Sequence, residues 1–303
     1  MRVSYHEGYR VDLPPTHPYP MGKYLLLRSL LDERGLSPKI QYVEPTEVSL
    51  DDLQRVHTPA YLERLQTDAL TPAERRALGI PFTPRLWRRS RLTVEGTCLA
   101  AAAALSDGLA ANLAGGTHHA FADHGEGFCV INDVAVAIER LLADGRIQRA
   151  LVIDLDVHQG NGTAAIFSGR SAVYTLSVHG ERNYPAIKPA STHDVGLPDG
   201  TSDEGYLAAL TPALHQALAI HRPDIVFYVA GVDVVEGDRY GRLALSEDGL
   251  RRRDHAVIQA VRDWHAPLAI VLGGGYAPTT RRTTELHAIV FEEALQRWAV
   301  ERD

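Results

Sequence analysis

The sequence predicts an α/β fold with a central parallel sheet and helices on both faces. Helical patterns alternate with short strands, and the strand runs are rich in Val, Ile and Leu without polar alternation. Continuous apolar runs are typical of strands that are covered on both faces. With 303 residues, of which 45% are hydrophobic, the chain can bury a large core, and we predict one domain over residues 1–303.

The predicted elements follow one another along the chain. Residues 2–5 form a first strand, residues 24–33 a helix that ends at Gly35, and the alanine-rich residues 92–113 a helix that ends at Gly115. Asn132 is placed to cap a helix over residues 133–142. The other predicted elements are strands at residues 150–153, 172–178, 225–230 and 268–272, and helices at residues 202–220 and 247–264.

Composition argues against several classes of protein. The net charge of -7 gives no support to nucleic-acid binding, and we interpret the basic residues 85–91 as a solvated loop or helix face. Only Cys98 and Cys129 are present, which argues against a disulfide framework and against a zinc site made of thiolates. No apolar run could span a bilayer and the start lacks a signal-peptide pattern, so we expect a cytoplasmic protein without membrane insertion.

Two carboxylates and an imidazole follow the predicted strand at residues 150–153. Side chains of a strand alternate between its faces, so Asp154, Asp156 and His158 converge if the extended conformation continues. Two carboxylate oxygens and one imidazole nitrogen suit a divalent metal such as zinc and leave a position for water or substrate. The alternative for this segment alone is a set of solvated residues at a strand end.

Other predicted strands also end in polar residues. Asp233 follows the strand at residues 225–230, His179 follows residues 172–178, and Tyr276 follows three glycines after residues 268–272. Ligands of open parallel sheets bind beyond the carboxyl ends of the strands, which predicts one shared site. A turn or a helix cap is an equal alternative for Asp233. A packed aromatic is the alternative for Tyr276, although the glycines allow a close backbone approach.

His118 and His119 lie side by side on a loop flanked by glycines. Both imidazoles can enter one pocket from a loop, whereas they diverge from a helix or a strand. A histidine pair beside a metal offers a base and an acid near neutral pH. Asp154 and Asn161 are candidates to orient the two rings, and two idle surface histidines are the alternative.

Together these segments resemble the zinc-dependent histone deacetylases and their acetylpolyamine and acetoin-utilisation relatives. The similar segments, in chain order, are GGTHHA at 115–120, GFC at 127–129, DLDVHQGNG at 154–162, Asp233, and GGGY at 273–276. HPYPMGK at 17–23 and AGVDVVEGDR at 230–239 look most like class IV, the smallest class. The resemblance implies the family's fold, a single arginase-like α/β domain with a central parallel sheet.

The resemblance also implies the chemistry of the matched residues. Asp156, His158 and Asp233 would bind one catalytic zinc ion. Tyr276 would bind the substrate carbonyl and donate to the oxyanion. Two aspartate ligands neutralise the charge of zinc and weaken it as a Lewis acid, so other groups must contribute to catalysis.

The tandem histidines would share the proton transfers. His119 is expected to be the general base and later the acid, with His118 as its electrostatic partner, and the two would face Asn161 and Asp154 respectively. Class I enzymes have an aspartate where this chain has Asn161. An amide stabilises a protonated imidazole less than a carboxylate does, which puts the protonation state of His119 in doubt.

Two further sites follow from the resemblance. Gly127 and Phe128 would line the acyl-lysine tunnel, with Tyr184, in the loop 180–185, as the facing residue. A structural monovalent-cation site, usually filled by potassium, would be formed by Asp154, by backbone carbonyls of Asp156 and His158, and by the Ser177 hydroxyl.

The expected function is therefore zinc-dependent removal of an acyl group, acetyl or longer, from a lysine side chain of a peptide or protein. A small-molecule deacetylase acting on acetylpolyamines or acetoin-related compounds is one alternative, and a non-catalytic acyl-lysine binder is another. A two-manganese ureohydrolase would want more carboxylates than these motifs supply. Because class IV enzymes are associated with long fatty-acyl groups, the class IV-like segments predict a gain in rate from acetyl to octanoyl.

Overall fold

The computed structural model describes residues 1–298 and is built around one sheet whose eight strands all pair in parallel. The strands lie in the order β2-β1-β3-β8-β7-β4-β5-β6. They are β1 (Arg2–Ser4), β2 (Gln41–Val43), β3 (Leu109–Asn112), β4 (Ala150–Asp154), β5 (Val173–Gly180), β6 (His193–Leu197), β7 (Ile225–Val229) and β8 (Leu268–Val271). The predicted α/β fold with a parallel sheet is confirmed. Residues 299–303 of the predicted domain lie outside the described residues.

Helices flank this sheet. Helix α5 packs on β1, β3, β7 and β8, whereas α8 packs on β4, β5 and β6. None of the helices within residues 1–298 is long and apolar enough to cross a membrane. The helices are α1 (Lys23–Glu33), α2 (Leu50–Gln54), α3 (Pro59–Gln66), α4 (Pro72–Leu78), α5 (Pro84–Asp107), α6 (Asp133–Ala143), α7 (Asn161–Ile166), α8 (Asp203–His221), α9 (Glu247–Asp263) and α10 (Thr280–Arg297).

Local sequence signals explain several helix ends. Asn132 caps α6 as predicted, because its side-chain oxygen accepts a hydrogen bond from Ala135 N at 3.0 Å. Thr71 and Glu74 form a reciprocal capping box at the start of α4. Gly79 ends the same helix with a φ of +69°, which glycine adopts without steric cost.

The predicted helix over residues 92–113 is wrong at both ends. Helix α5 begins at Pro84 and ends at Asp107, where Gly108 follows with a φ of +84°. The next four residues form β3, which is fully buried and pairs with β1 and β8. The alanine-rich composition concealed this break, because alanine favours a helix locally while pairing inside the sheet decides for a strand.

The predicted strands at residues 2–5, 150–153, 172–178, 225–230 and 268–272 correspond to β1, β4, β5, β7 and β8. These last four contain the runs that are buried along their whole length. The prediction missed β2 and β6, which lie at the two edges of the sheet. Most residues of these two strands are exposed or half-exposed. Edge strands lack the continuous apolar signal.

The central four strands position the site. The loops that follow β3, β4, β7 and β8 emerge from the same edge of the sheet because these neighbours are parallel. Buried Arg253 of α9 ties two of those loops together by donating to Leu155 O at 3.1 Å and to Gly231 O at 2.6 Å. The rule that ligands bind beyond carboxyl strand ends therefore applies to this edge.

Candidate active site

Asp156, His158 and Asp233 form a cluster whose ligand atoms all lie within 4.8 Å of one another. His158 Nδ1 lies 2.9 Å from Asp156 Oδ1 and 3.3 Å from Asp233 Oδ2. Backbone amides hold both carboxylates: Val157 N donates to Asp233 Oδ1 at 2.9 Å, and Gly274 N donates to Asp156 Oδ2 at 2.6 Å. The loops after β4, β7 and β8 thus fix three candidate ligands in one place.

The cluster has the properties of a cation site. Asp233 Oδ2 is buried without a hydrogen-bond partner, which is costly unless another group satisfies it. A Cβ atom on Gly274 would lie 2.1 Å from that oxygen, so the glycine keeps the approach clear. Burial and the charge of Asp156 raise the pKa of Asp233 to about 7. The pKa of Asp156 is held well below its usual value, so an ionised carboxylate lies beside one that holds its proton more firmly. A metal ion can displace that proton, and the residues fit zinc.

Asp154 lies outside this cluster. The alternation expected of a continuing strand stops there, because β4 ends at Asp154. Its Oδ2 accepts a hydrogen bond from His118 Nδ1 at 2.7 Å, and its Oδ1 accepts one from Asp156 N at 3.2 Å. The initial grouping of Asp154 with Asp156 and His158 as three ligands is therefore wrong, and Asp233 takes the third place.

The neighbouring strand β5 holds Ser177 and His179. Ser177 pairs with Asp154 in the sheet register, which places it beside the predicted monovalent-cation site. Its hydroxyl contacts His179 Nδ1 at 3.0 Å, and both residues are buried. His179 also lies 3.9 Å from Asp194, so it belongs to a separate polar contact and not to the metal cluster. The expectation that His179 shares the site is wrong.

The loop that carries the tandem histidines is fixed by Asp133 at the start of α6. The carboxylate of Asp133 accepts hydrogen bonds from Gly116 N at 3.1 Å and from Thr117 N at 2.7 Å. Gly116 has a φ of +74°, and a Cβ atom there would lie 2.5 Å from Gly273 N. The loop after β3 therefore packs directly on the loop after β8, and it delivers His118 and His119 into the site.

His118 is a buried histidine paired with a carboxylate. Burial opposes its protonation, but Asp154 and Asp156 outweigh burial and raise the pKa of His118 to about 9. Asp154 is the direct partner, and His118 Nε2 lies 3.9 Å from Asp156 Oδ1. His118 is therefore cationic at neutral pH.

His119 has the opposite charge state. Burial and the neighbouring charges of His118 and His158 hold the pKa of His119 well below its usual value. Its Nδ1 lies 2.6 Å from Oδ1 of Asn161, and the two histidine rings are 4.0 Å apart between centroids. His119 is thus a neutral imidazole next to a cationic one. Neither is an idle surface group, since His118 and His119 are only 4% and 5% exposed.

Tyr276 follows β8 and lines the same cavity as the tandem histidines. Its backbone N donates to Asp238 Oδ2 at 2.6 Å, and its ring packs edge-on against Tyr240 at 4.9 Å and Tyr19 at 6.2 Å. Burial and the nearby Tyr19 and carboxylates raise the pKa of Tyr276 well above its ordinary value. The phenol therefore keeps its proton and can act as a hydrogen-bond donor.

The tandem histidines, Asp156, His158 and Tyr276 line a cavity of about 30 Å³. Phe128 forms one side of it and packs against His17, Tyr19 and Tyr276, at 5.7, 5.5 and 6.1 Å between ring centroids. The residues that line the cavity are Tyr19, Gly115, Gly116, Thr117, His118, His119, Gly127, Phe128, Cys129, Asp156, His158, Gly273, Gly274 and Tyr276.

A tight turn presents Phe128 to the cavity. Its central residues, Gly127 and Phe128, have φ values of +55° and +69°, and Cys129 N donates to Glu126 O at 2.8 Å to close it. A Cβ atom on Gly127 would lie 2.6 Å from the ring of His119, so only glycine leaves that ring in place. The sequence predicts Gly127 as a tunnel-lining residue, and its closeness to His119 explains why this position requires glycine.

Tyr184 does not form a ring contact with Phe128 in the described residues. Its ring instead packs edge-on against His119 and His158, at 5.0 and 6.5 Å between ring centroids. Its hydroxyl donates to Glu126 Oε1 at 2.7 Å. Tyr184 is therefore beside His119, and the aromatic partners of Phe128 are His17, Tyr19 and Tyr276.

Several residues around the cavity were not predicted from the sequence. Lys23 is fully buried, and its Nζ donates to Gly273 O at 2.8 Å and lies 3.2 Å from His287 Nε2. Glu126 accepts from Asn161 as well as from Tyr184. Lys23 and Tyr19 lie in the segment 17–23, which resembles the class IV enzymes but carries no predicted role for either residue. Glu126 directly precedes Gly127 and Phe128, which are predicted to line the tunnel.

Comparison with known proteins agrees with this geometry. Residues 17–291 match the histone deacetylase domain. The chain belongs to the histone deacetylase family. The match includes every candidate site residue named above, because the first of them, His17, and the last, His287, both fall inside it.

Similar proteins extend over most of the chain. An uncharacterized protein of Picosynechococcus is 42% identical, and the alignment covers 96% of this chain and 97% of that protein. Histone deacetylase 2 of Arabidopsis thaliana is 33% identical over 92% of this chain and 76% of its own. A histone deacetylase-like amidohydrolase of Pseudomonas aeruginosa is 33% identical over 83% and 70%. The crystal structure of the HDA15 HD domain shares the fold, with a TM-score of 0.80, 24% identity, and coverage of 97% and 91%.

Proposed function

We propose that this member of the histone deacetylase family is a zinc-dependent amidohydrolase that removes a short acyl group, acetyl above all, from a lysine side chain. One observation carries the proposal. A cluster of three candidate metal ligands, two of which line one small cavity, shares that cavity with a neutral histidine, a cationic histidine and a protonated phenol. A protein that only binds acyl-lysine has no need of a base and an oxyanion donor in the same place.

Asp156, His158 and Asp233 would hold the zinc ion. When bound, zinc supplies a Lewis acid that polarises the amide carbonyl and acidifies a water molecule. His119 is neutral and can take the proton of the attacking water, then return it to the leaving amine. His118 remains a cation beside it and stabilises negative charge that develops on the substrate. The Tyr276 hydroxyl donates a hydrogen bond to the substrate oxygen on which this negative charge develops.

The size of the cavity favours a short acyl group. Its volume of about 30 Å³ holds only one or two water molecules. An octanoyl chain adds six methylenes to an acetyl group, and these would need space beyond this cavity. The gain from acetyl to octanoyl that the class IV-like segments predict stays a prediction, and the cavity supports the opposite order.

The surroundings favour a lysine carried by a peptide. An open groove of about 440 Å³ adjoins Tyr276 and is lined by the segment 15–20, by Gly237 and Arg239, and by residues 276–278 and 280. It offers room for main-chain atoms next to the lysine tunnel. A potassium ion at Asp154 and Ser177 is part of the proposal only as a structural element, and the register of β4 and β5 supports the pairing of those two residues.

A turnover panel tests this proposal. Zinc-loaded protein is incubated with one peptide carrying acetyl-, butyryl- or octanoyl-lysine and with an acetylated polyamine, and the free amine is measured. We expect kcat/KM to be highest for acetyl-lysine peptide and to fall steadily with chain length. A higher rate on the polyamine would establish the small-molecule alternative, and a rise toward octanoyl would show that the acyl pocket opens.

The control is Tyr276→Phe, which keeps the ring but removes the proposed donor. Activity that is unchanged in this variant would come from a contaminant or from another site, and in either case it would contradict the proposal. Absence of turnover on the whole panel, in protein that contains one zinc ion per chain, would support the non-catalytic binder.

A further inference from the structure

Glu126 has a position that the proposed reaction does not yet use. It is the first residue of the turn that presents Phe128, and its side chain is 17% exposed. Oε1 of Glu126 accepts hydrogen bonds from Nδ2 of Asn161 and from the Tyr184 hydroxyl. Asn161 in turn contacts His119, so a continuous chain of polar contacts runs from Glu126 to the proposed base.

The direction of each hydrogen bond in this chain follows from chemistry. An ionised carboxylate has no hydrogen to donate, so the end of the Asn161 side chain that faces Glu126 is its NH₂ group. The carbonyl oxygen of Asn161 must then face His119. An amide oxygen only accepts hydrogen bonds, so the proton of the neutral His119 ring is on Nδ1, and Nε2 is left as the basic nitrogen.

An asparagine alone does not enforce this arrangement. If the amide rotated by half a turn, its NH₂ group would face His119 Nδ1, which would then have to be the unprotonated nitrogen. The proton would move to Nε2, and the ring could not accept a proton on that atom. A purely accepting partner on the other side of Asn161 is therefore required to keep the base competent.

We infer that Glu126 is a positioning residue that fixes the orientation of the Asn161 amide and, through it, the reactive tautomer of His119. The inference rests on the proposed function, because it assigns a reason for which His119 must be basic at Nε2. It also explains how the His119 ring stays oriented although position 161 is an amide. An aspartate at position 161 would accept the hydrogen bond from His119 in either orientation. Asn161 accepts it only when its NH₂ group is held by Glu126.

Tyr184 contributes to the same device from the other side. Its hydroxyl donates to the oxygen of Glu126 that accepts from Asn161, and its ring packs on His119. Glu126 therefore has two donors and no competing acceptor among the contacts of its Oε1 atom. Its other oxygen lies 3.8 Å from His124 Nε2, which is beyond hydrogen-bond distance.

The test exchanges the carboxylate and the amide between positions 126 and 161. Glu126→Gln is nearly isosteric but can donate as well as accept, so it no longer dictates how the Asn161 amide is turned. We expect kcat to fall by about 10- to 100-fold, the usual effect of losing an orienting partner, with KM changed little. Asn161→Asp places two carboxylates against each other and should be impaired at least as much.

The double variant E126Q/N161D restores a matched pair. The amide introduced at position 126 donates to the carboxylate introduced at position 161, and that carboxylate accepts from His119. The kcat of the double variant should therefore recover to within a few-fold of the original protein.

Three controls accompany the exchange. Glu63→Gln removes a carboxylate from an exposed position on α3 and should leave kcat unchanged. Tyr184→Phe removes only the second donor to Glu126, so its loss in kcat should be smaller than that of Glu126→Gln. Zinc content is measured for each variant, so that a loss of metal is not mistaken for a loss of orientation.

A second readout does not depend on any substrate. Protein labelled with ¹⁵N at histidine reports the tautomer of each ring, and His119 is assigned by its absence in His119→Gln. We expect Nδ1–H in the original protein, a mixture of tautomers in Glu126→Gln, and Nδ1–H again in E126Q/N161D. If the original protein turns over no substrate but shows this pattern, the proposed function fails and the inference about orientation stands.

Several outcomes would overturn the inference. One is an Nε2–H tautomer of His119 in the original protein. Another is a double variant no better than the product of the two single effects. If Tyr184→Phe were as impaired as Glu126→Gln, Glu126 would act through Tyr184 and not through Asn161.

Discussion

His118 and His119 are consecutive residues whose rings lie 4.0 Å apart, yet their surroundings differ in the contact that decides protonation. His118 donates to the carboxylate of Asp154, and its pKa is raised to about 9. His119 contacts the amide of Asn161, and its pKa is held well below its usual value by burial and by the neighbouring cations. The surroundings, and not the residue type, thus divide two imidazoles into a cation and a neutral ring.

The largest expected effect on activity comes from loss of a candidate metal ligand. The difference between the histidines concerns catalysis only if Asp156, His158 and Asp233 bind zinc. Asp233→Ala removes the carboxylate whose Oδ2 is buried without a partner, and we expect zinc to be lost and activity to fall below detection. Metal content is measured by elemental analysis, with Asp263→Ala, an exposed position at the end of α9, as the control. Full activity in metal-free protein would refute the metal assignment.

The next largest effect separates the two histidines. His119→Ala should reduce kcat by about 10²- to 10⁴-fold, the range for loss of a general base, with zinc retained. His118→Ala should be milder and should displace the pH profile, because its role is electrostatic. The exposed His215→Ala on α8 serves as the control. Equal losses of metal in both active-site variants would mean that the rings are ligands, contrary to the roles assigned here.

Tyr276→Phe sharpens the comparison at a third side chain that lines the cavity. If the cation on His118 and the phenol of Tyr276 share the oxyanion, loss of the phenol should cost about 10²- to 10³-fold in kcat with little change in KM. Tyr240→Phe is the matched control, because the Tyr240 ring packs on Tyr276 without lining the cavity. A Tyr276→Phe variant with unaltered kcat would remove the phenol from the chemistry.

The smallest effect is on stability and tests the carboxylate partner directly. The pKa of His118 in the folded protein, about 9, lies above its ordinary value of about 6.5. Its stabilising contribution is therefore full below pH 6.5 and is lost as the pH rises toward 9. Asp154→Asn should abolish this loss, which amounts to roughly 1–3 kcal/mol, in urea unfolding of the metal-free protein at the two pH values.

The pKa of His158 is also raised, to about 10, because the neighbouring carboxylates of Asp156 and Asp233 outweigh the effect of burial. The original protein therefore loses stability over the same pH range for a second reason. Only the difference between the original protein and Asp154→Asn reports His118. An identical pH dependence in the two proteins would contradict the assigned charge of His118.

Much of the fold could be predicted from the sequence because its central strands are continuously apolar. The run Ala150–Asp154 and its neighbours are buried along their whole length, and that signal survives without any tertiary information. Strand β3 could not be found in this way, since Leu109–Asn112 continues an alanine-rich helix and is set apart only by Gly108. Edge strands β2 and β6 take their pairing from neighbours that local patterns do not reveal.

The candidate site divides in the same manner. Residues that form compact motifs, such as His118 with His119 and Asp156 with His158, were identifiable from spacing and resemblance. Glu126 was not, because its partners Asn161 and Tyr184 lie 35 and 58 positions away along the chain. Lys23 was not either, since the partner carbonyl at Gly273 is 250 positions distant. Contacts of this length exist only once the parallel sheet has brought the loops together.

Neutron diffraction from zinc-loaded crystals grown in deuterated buffer near neutral pH tests the central claim most directly, because it locates the hydrogens on both rings. We expect deuterium on both nitrogens of His118, on Nδ1 alone of His119, and on the Asn161 nitrogen that faces Glu126. Equal protonation of the two rings, or deuterium on Nε2 of His119, would contradict the division of the pair into a cation and a base.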